Sequence, residues 1–171
     1  MSRSTHSARA SPLTTIAALT GAADKGIYFT GTDVAGGDTI AVQSTLTGGT
    51  TTVNAGAGTD TINVSSDGTG VTGNLDGILG ILTVLGGTGA NTLNVSDQNA
   101  AAADGAAVIT NAALTGLAPV TINYSATGTF ANGINITSTD VAGGDTISVQ
   151  STLTGGTTTV NAGAGTDTIN V

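Results

Sequence analysis

The chain has 171 residues and is poor in charged and aromatic side chains, at 8% and 2%, whereas a typical soluble domain is roughly 25% charged. Its three basic residues and net charge of −8 argue against binding to nucleic acid or insertion at an anionic membrane, because too few cations are present to neutralise phosphate. The absence of cysteine excludes disulfides and a catalytic thiol, and no apolar run is long enough to cross a bilayer.

The composition predicts an all-β protein. The sequence holds 27 Gly and 34 Thr, and all eleven acidic residues are Asp. Thr, Val and Ile favour strands, whereas Gly, Asn and Asp favour turns. The apolar residues are mostly small aliphatics, which suit the thin core of a solenoid better than a wide sandwich with aromatic filling.

In chain order, the first predicted segment is a disordered leader at residues 1–11, which carries two of the three basic residues and the single His. A first repeat unit follows at residues 12–118, and a partial second unit occupies residues 119–171. The boundaries come from self-similarity, because residues 32–64 recur at 139–171 with one substitution, Ala41 to Ser148. The two copies are therefore offset by 107 residues.

A shorter repeat of the form [Asp/Asn]-Thr-[Ile/Leu]-x-Val lies inside this unit. Its threonines are spaced by 22 to 31 residues, so that the 107-residue unit contains four short repeats. This pattern predicts a parallel β-helix or β-roll with four coils per unit. Strand alternation directs the Ile or Leu and the Val inward. The outward column is then a ladder of threonines: Thr39, Thr61, Thr92, Thr121, Thr146 and Thr168. Beside it a column of asparagines is predicted: Asn63, Asn94, Asn123 and Asn170.

The turn AGAGTDTIN (55–63) resembles the calcium-binding nonapeptide of RTX β-rolls, G-G-x-G-x-D-x-U-x. That resemblance implies Ca²⁺ between stacked turns, with oxygen ligands at Asp38, Asp60, Asn91, Asp145 and Asp167. The accompanying turn glycines are Gly36, Gly37, Gly56, Gly58, Gly86, Gly87, Gly89, Gly143, Gly144, Gly163 and Gly165. An alternative stays open, in which Asp and Asn simply follow Gly in tight turns and bond to backbone without any metal.

For function, the sequence resembles the β-solenoid stalks of large bacterial adhesins, which implies a structural spacer in an extracellular or cell-surface protein. An enzyme is not expected, because the basic residues that would tune a carboxylate lie mostly in the leader. Two alternatives are a filament built by end-to-end self-association and a Thr-rich ice-binding solenoid. The T-x-T pattern expected of an ice-binding face occurs at 50–52 and 157–159.

Overall fold

The computed structural model describes residues 36–103 and 106–171, and this part of the chain is all-β, without a helix. The predicted leader at residues 1–11 lies outside the described residues. Short Thr-, Ile- and Val-rich runs form the strands, and the Gly- and Asp-rich segments between them form turns. The strands are β1 (Thr39–Val42), β2 (Thr50–Asn54), β3 (Thr61–Val64), β4 (Ile81–Leu85), β5 (Ala90–Ser96), β6 (Ala107–Ile109), β7 (Ala113–Thr115), β8 (Ile122–Ser125), β9 (Thr129–Thr137), β10 (Thr146–Val149), β11 (Thr158–Asn161) and β12 (Thr168–Asn170).

These strands form two separate sheets. The parallel sheet has the order β1-β3-β5-β9-β11, and every neighbouring pair in it is parallel. The mixed sheet has the order β12-β10-β6-β7-β8-β4-β2. No strand pairing among the described residues joins the two sheets edge to edge.

The core is a single apolar cluster to which both sheets contribute. Register aligns its side chains, so that Ile62 pairs with Leu93 and Val64 with Val95. These four side chains are at most 1% exposed. Fully burying an aliphatic side chain of this size is worth about 1.5–3 kcal/mol, so stacked aliphatic columns make up most of the core, and the ring of Tyr124 is buried with them. Phe130 is the one fully buried Phe among the described residues.

One part of the mixed sheet departs from the predicted parallel arrangement. β7 is antiparallel to both β6 and β8. Thr110 closes the β6–β7 turn, because its backbone N–H donates to Ala113 O at 2.9 Å and its hydroxyl accepts the Ala113 N–H at 3.0 Å. The Tyr124 hydroxyl donates to Thr110 O, and burial raises the pKa of that hydroxyl. The repeat predicted no such antiparallel meander.

The two copies of the repeat lie in opposite sheets. The first copy places β1 and β3 in the parallel sheet and β2 in the mixed sheet, whereas the second places β10 and β12 in the mixed sheet and β11 in the parallel sheet. The chain changes sheet seven times between β1 and β10, and an odd number of changes exchanges the sheets. Four complete coils per 107 residues would require an even number of changes of sheet, because each coil crosses to the opposite sheet and returns. The prediction of four coils is wrong in this respect.

Candidate functional site: the glycine and Asx corners

The five predicted ligand residues lie at strand starts, in two groups. Asp38 and Asp60 directly precede β1 and β3, and Asn91 is the second residue of β5, so these three share one corner of the parallel sheet. Asp145 and Asp167 precede β10 and β12 and form an equivalent corner on the mixed sheet. The structure therefore does not bring all five residues into one column.

In the first corner, each Asx side chain accepts a hydrogen bond from the backbone of the preceding Asx residue. Asp60 Oδ1 accepts the Asp38 N–H at 2.9 Å, and Asn91 Oδ1 accepts the Asp60 N–H at 2.9 Å. A backbone hydrogen bond connects the same two turns, because Asp38 O accepts the Thr61 N–H at 2.7 Å. Asp60 and Asn91 are fully buried. We call this arrangement the Asx ladder.

The second corner repeats this geometry with identical sequence. Asp167 Oδ1 accepts the Asp145 N–H at 2.8 Å, and Asp145 O accepts the Thr168 N–H at 2.8 Å. Asp145 is buried, at 1% exposure. The same hydrogen bonds form in both sheets, so the local sequence, and not the particular sheet, produces the Asx ladder.

Glycine allows the successive turns to approach within backbone contact. Gly87 has φ +70°, and a Cβ on it would lie 1.8 Å from Gly56 O. A Cβ on Gly58, at φ +141°, would lie 2.1 Å from Gly36 O. Any larger residue would have to push the turns apart. Positive φ occurs at these predicted turn glycines: Gly56, Gly58, Gly87, Gly89, Gly144, Gly163 and Gly165.

The first Asx ladder ends at Asn91, because the next strand is irregular there. β9 pairs with Ala90 through Thr129 but with Thr92 through Gly133, so a bulge replaces the next Asx position. Phe130 lies in this bulge, where a Cβ on Gly86 would be 2.9 Å from its ring. The Asn91 amide nitrogen donates to Gly86 O at 2.7 Å, inside its own turn. A carboxylate could not donate this bond, which accounts for Asn at the last step of the ladder.

The oxygen atoms of the corner residues take part in hydrogen bonds. Calcium takes six to eight oxygen ligands. The turns after β2 and β11 each supply two Asx side chains, an Asn and an Asp. The Oδ1 atoms of Asn54 and Asn161 accept the Gly56 and Gly163 N–H groups, and those of Asp60 and Asp167 accept backbone N–H groups of the preceding repeat. The Gly56 and Gly87 carbonyls accept N–H groups of neighbouring turns. Within the described ranges, no group of three or more His, Cys, Asp or Glu residues is placed to hold a metal ion.

The predicted threonine ladder is divided between the sheets. Thr39, Thr61 and Thr92 pair in register on the parallel sheet, and the next partner of Thr92 is Gly133. The remaining members lie elsewhere: Thr146 pairs with Thr168 on the mixed sheet, and Thr121 directly precedes β8.

An asparagine column forms on the parallel sheet, but of the four predicted members only Asn63 and Asn94 belong to it. The Asn94 amide donates to Asn63 Oδ1 at 2.8 Å, and the Asn135 amide donates to Asn94 Oδ1 at 2.9 Å. Asn123 pairs with Thr83 and Asn170 with Ser148, both in the mixed sheet. Asn135 was missed because its segment, GINIT, lacks the Asp-Thr signature of the repeat.

The loop between β3 and β4 covers this asparagine column. A Cβ on Gly70 would lie 2.7 Å from the Asn94 Cβ and 3.2 Å from the Asn63 Cβ. The Ser96 hydroxyl fastens the loop by donating to Val71 O at 2.8 Å. The outer face of the parallel sheet is therefore packed against the chain itself at this point.

Asp67 organises that loop. Its carboxylate accepts six hydrogen bonds from Ser65, Thr69, Gly70 and Thr72. Partial burial acts to raise the pKa of Asp67, but the hydroxyl and backbone donors outweigh it and hold the pKa well below its usual range. The signal in the sequence was S-x-D-G-T-G-x-T, in which donors surround one Asp at short spacing.

The described residues carry charge of one sign only. They include eight Asp and no Lys, Arg or His, because all the basic residues and the His lie before residue 36. Nothing in residues 36–103 and 106–171 is a helix that could span a membrane. No family model, no curated protein and no solved structure matches the chain.

Proposed function

We propose that this chain is a structural repeat segment, a stalk or spacer of a large extracellular or cell-surface bacterial protein, wound as a β-solenoid. The observation that supports it most is the register: equivalent residues of successive repeats lie side by side, as in Thr39, Thr61 and Thr92. From β1 to β3 to β5 the successive layers repeat the same Asx hydrogen bond and stack Ile or Leu and Val in register, and a segment of this kind can be lengthened by adding repeats.

The chemistry of the described residues is consistent with a scaffold. Their polar side chains are mostly Thr, Asn and Asp, and those in the Asx ladder and the asparagine column bond to neighbouring repeats. The exposed charged side chains of the described residues are all Asp, so that copies of this segment carry charge of one sign and repel one another, which suits a spacer.

Surface exposure on cells tests the location, and pulling tests the mechanical role. We expect an antibody raised against the chain to label intact source cells. Labelling seen only after the cells are permeabilised would contradict the proposal.

In single-molecule pulling, strand pairs sheared along their length should resist force cooperatively. A chain that extends without a discrete unfolding event would contradict a stalk function.

Calcium at the corners stays a prediction of the RTX resemblance. We propose that the Asx ladder closes the corners by hydrogen bonding, which predicts the same thermal midpoint in EDTA and in millimolar Ca²⁺. Binding to the folded state alone would raise the midpoint with Ca²⁺ concentration. The Asp60→Asn variant separates the two accounts, because it keeps the acceptor oxygen for Asp38 N–H but removes the charge that calcium requires.

The two alternative functions also stay predictions. End-to-end filaments would appear as concentration-dependent size in light scattering, with and without EDTA. Ice binding needs a flat exposed face, and the loop packed over Asn63 and Asn94 disfavours the parallel sheet for this role. We therefore expect no thermal hysteresis in the full chain.

A further inference from the structure

Asn132 and Gly133 form the single Asn-Gly pair in the chain. They lie in the bulge of β9, opposite β5. The alternation of the strand breaks here, since Ala131 and Asn132 are both exposed and Gly133 and Ile134 are both buried. The Asn132 side chain is therefore accessible to water although it belongs to a strand in the middle of the parallel sheet.

Gly133 is not one of the closely packed glycines of the corners. Its φ is +118°, a conformation that residues with a Cβ rarely adopt. A Cβ on Gly133 would meet no atom closer than 3.4 Å, at the Asn135 amide, whereas a Cβ on Gly87 would lie 1.8 Å from Gly56 O. No neighbouring turn crowds the backbone that follows Asn132.

We propose that Asn132 is a site of spontaneous deamidation in the folded chain. The Gly133 backbone nitrogen attacks Asn132 Cγ, the Cγ–Nδ2 bond breaks, and ammonia leaves with the proton of the Gly133 N–H. Water then opens the resulting succinimide ring, at Cγ to give an aspartyl residue or at the backbone carbonyl to give an isoaspartyl residue. Either opening restores the Gly133 N–H. This chemistry is independent of the stalk function, since it requires only the exposed Asn-Gly pair and water.

The bulge also accommodates the product. An isoaspartyl residue lengthens the backbone by one atom, and in the bulge β9 already carries more residues than the facing part of β5. The asparagines of the regular column offer no such freedom. Asn94 lies in register, is hydrogen-bonded to Asn63, and is followed by Val95, whose branched side chain crowds the nitrogen that would attack.

Deamidation removes a contact between β9 and β5. Asn132 Nδ2 donates a hydrogen bond to Ala90 O at 2.7 Å. A carboxylate has no N–H donor, so that its oxygen faces the Ala90 carbonyl without a hydrogen bond. Ala90 directly precedes Asn91, the last residue of the first Asx ladder. The modification therefore acts on the end of this ladder.

Ageing of the full chain in alkaline buffer tests the proposal, because alkaline pH favours loss of the proton from the attacking nitrogen. Peptide mapping by mass spectrometry locates the change in mass from amide to carboxyl, and an enzymatic isoaspartate assay detects the second product. We expect Asn132 to react at least about tenfold faster than Asn111, which is exposed in a turn but followed by Ala112. Equal rates at the two positions, or no reaction at Asn132, would overturn the proposal.

Variants assign the product to this position. Asn132→Gln should form no acidic product, because its longer side chain closes a larger ring more slowly, whereas the matched control Asn111→Gln should form it at the unchanged rate. Reaction of Asn132 only after the chain is unfolded in urea would also overturn the proposal, because the hydrogen bond to Ala90 would then protect the amide in the folded state. Asn132→Asp should lower the thermal midpoint, and an unchanged midpoint would contradict the effect on the contact with β5.

Discussion

Ile62 and Ile169 provide an internal comparison of burial, because they occupy the same position in identical sequences. Ile62 is 0% exposed beneath Leu93, whereas Ile169 is 46% exposed on the outermost strand. Replacing a buried Ile with Ala costs about 2–5 kcal/mol, since the lost transfer free energy is joined by the free energy of the cavity left behind. At Ile169 about half of the transfer free energy is lost and no closed cavity forms, so that we expect about 1 kcal/mol.

The assay is urea unfolding followed by far-UV circular dichroism on Ile62→Ala, Ile169→Ala and the double variant. The expected difference between the single variants is at least about 1 kcal/mol in the free energy of unfolding. The slope with urea should be unchanged, because a change in slope would mean that the unfolded state or the cooperativity had altered. Equal losses at the two positions, or a larger loss at Ile169, would refute the reasoning that the neighbouring strand determines the burial.

Three further predictions concern the corners and the loop. Asp60→Leu should cost about 1–3 kcal/mol in urea unfolding by leaving the Asp38 N–H without its acceptor, whereas Asp60→Asn should cost less than half as much. Equal costs would argue against the Asx ladder. Gly87→Ala should lower the thermal midpoint more than Gly48→Ala. Both glycines have φ near +70°, but nothing lies within 4 Å of a Cβ on Gly48. Equal shifts would mean that the close approach of Gly87 to the neighbouring turn is unimportant. The pKa of Asp67 is held low in the folded chain, so its stabilisation is present above about pH 4 and is lost as the pH falls further. Asp67→Ala should therefore destabilise the chain more at pH 6 than at pH 3 in urea unfolding, and an equal effect at both would contradict this.

Strand positions could be predicted because they depend on local sequence. The motif Asp-Thr-Ile-x-Val begins a strand at Thr39, at Thr61 and at Thr146. Its alternation directs Ile62 and Val64 into the core, as the pattern predicts. The turns could be predicted for the same reason, since Gly and Asx act within a few residues of the backbone that they shape.

The composition of the columns could not be predicted, because a column joins residues from distant parts of the chain. Asn135 completes the asparagine column although its segment lacks the repeat motif. Thr121 and Asn123 fit the spacing of the repeat but lie with β8 in the mixed sheet. Spacing along the chain does not reveal the meander of β6, β7 and β8, because these strands do not carry the repeat motif at regular intervals and pair antiparallel through β7.

The sequence by itself determined that this chain is all-β, where the strands of the Asp-Thr-Ile-x-Val motif begin, and that the corners before them are built from glycine and Asx residues. These properties arise from backbone preferences and side-chain alternation, which act locally. Only the tertiary structure decided which sheet each copy of the repeat joins and which faces of that copy are covered. Two identical segments lie in opposite sheets, because non-local strand pairing depends on the neighbours available and not on the segment itself.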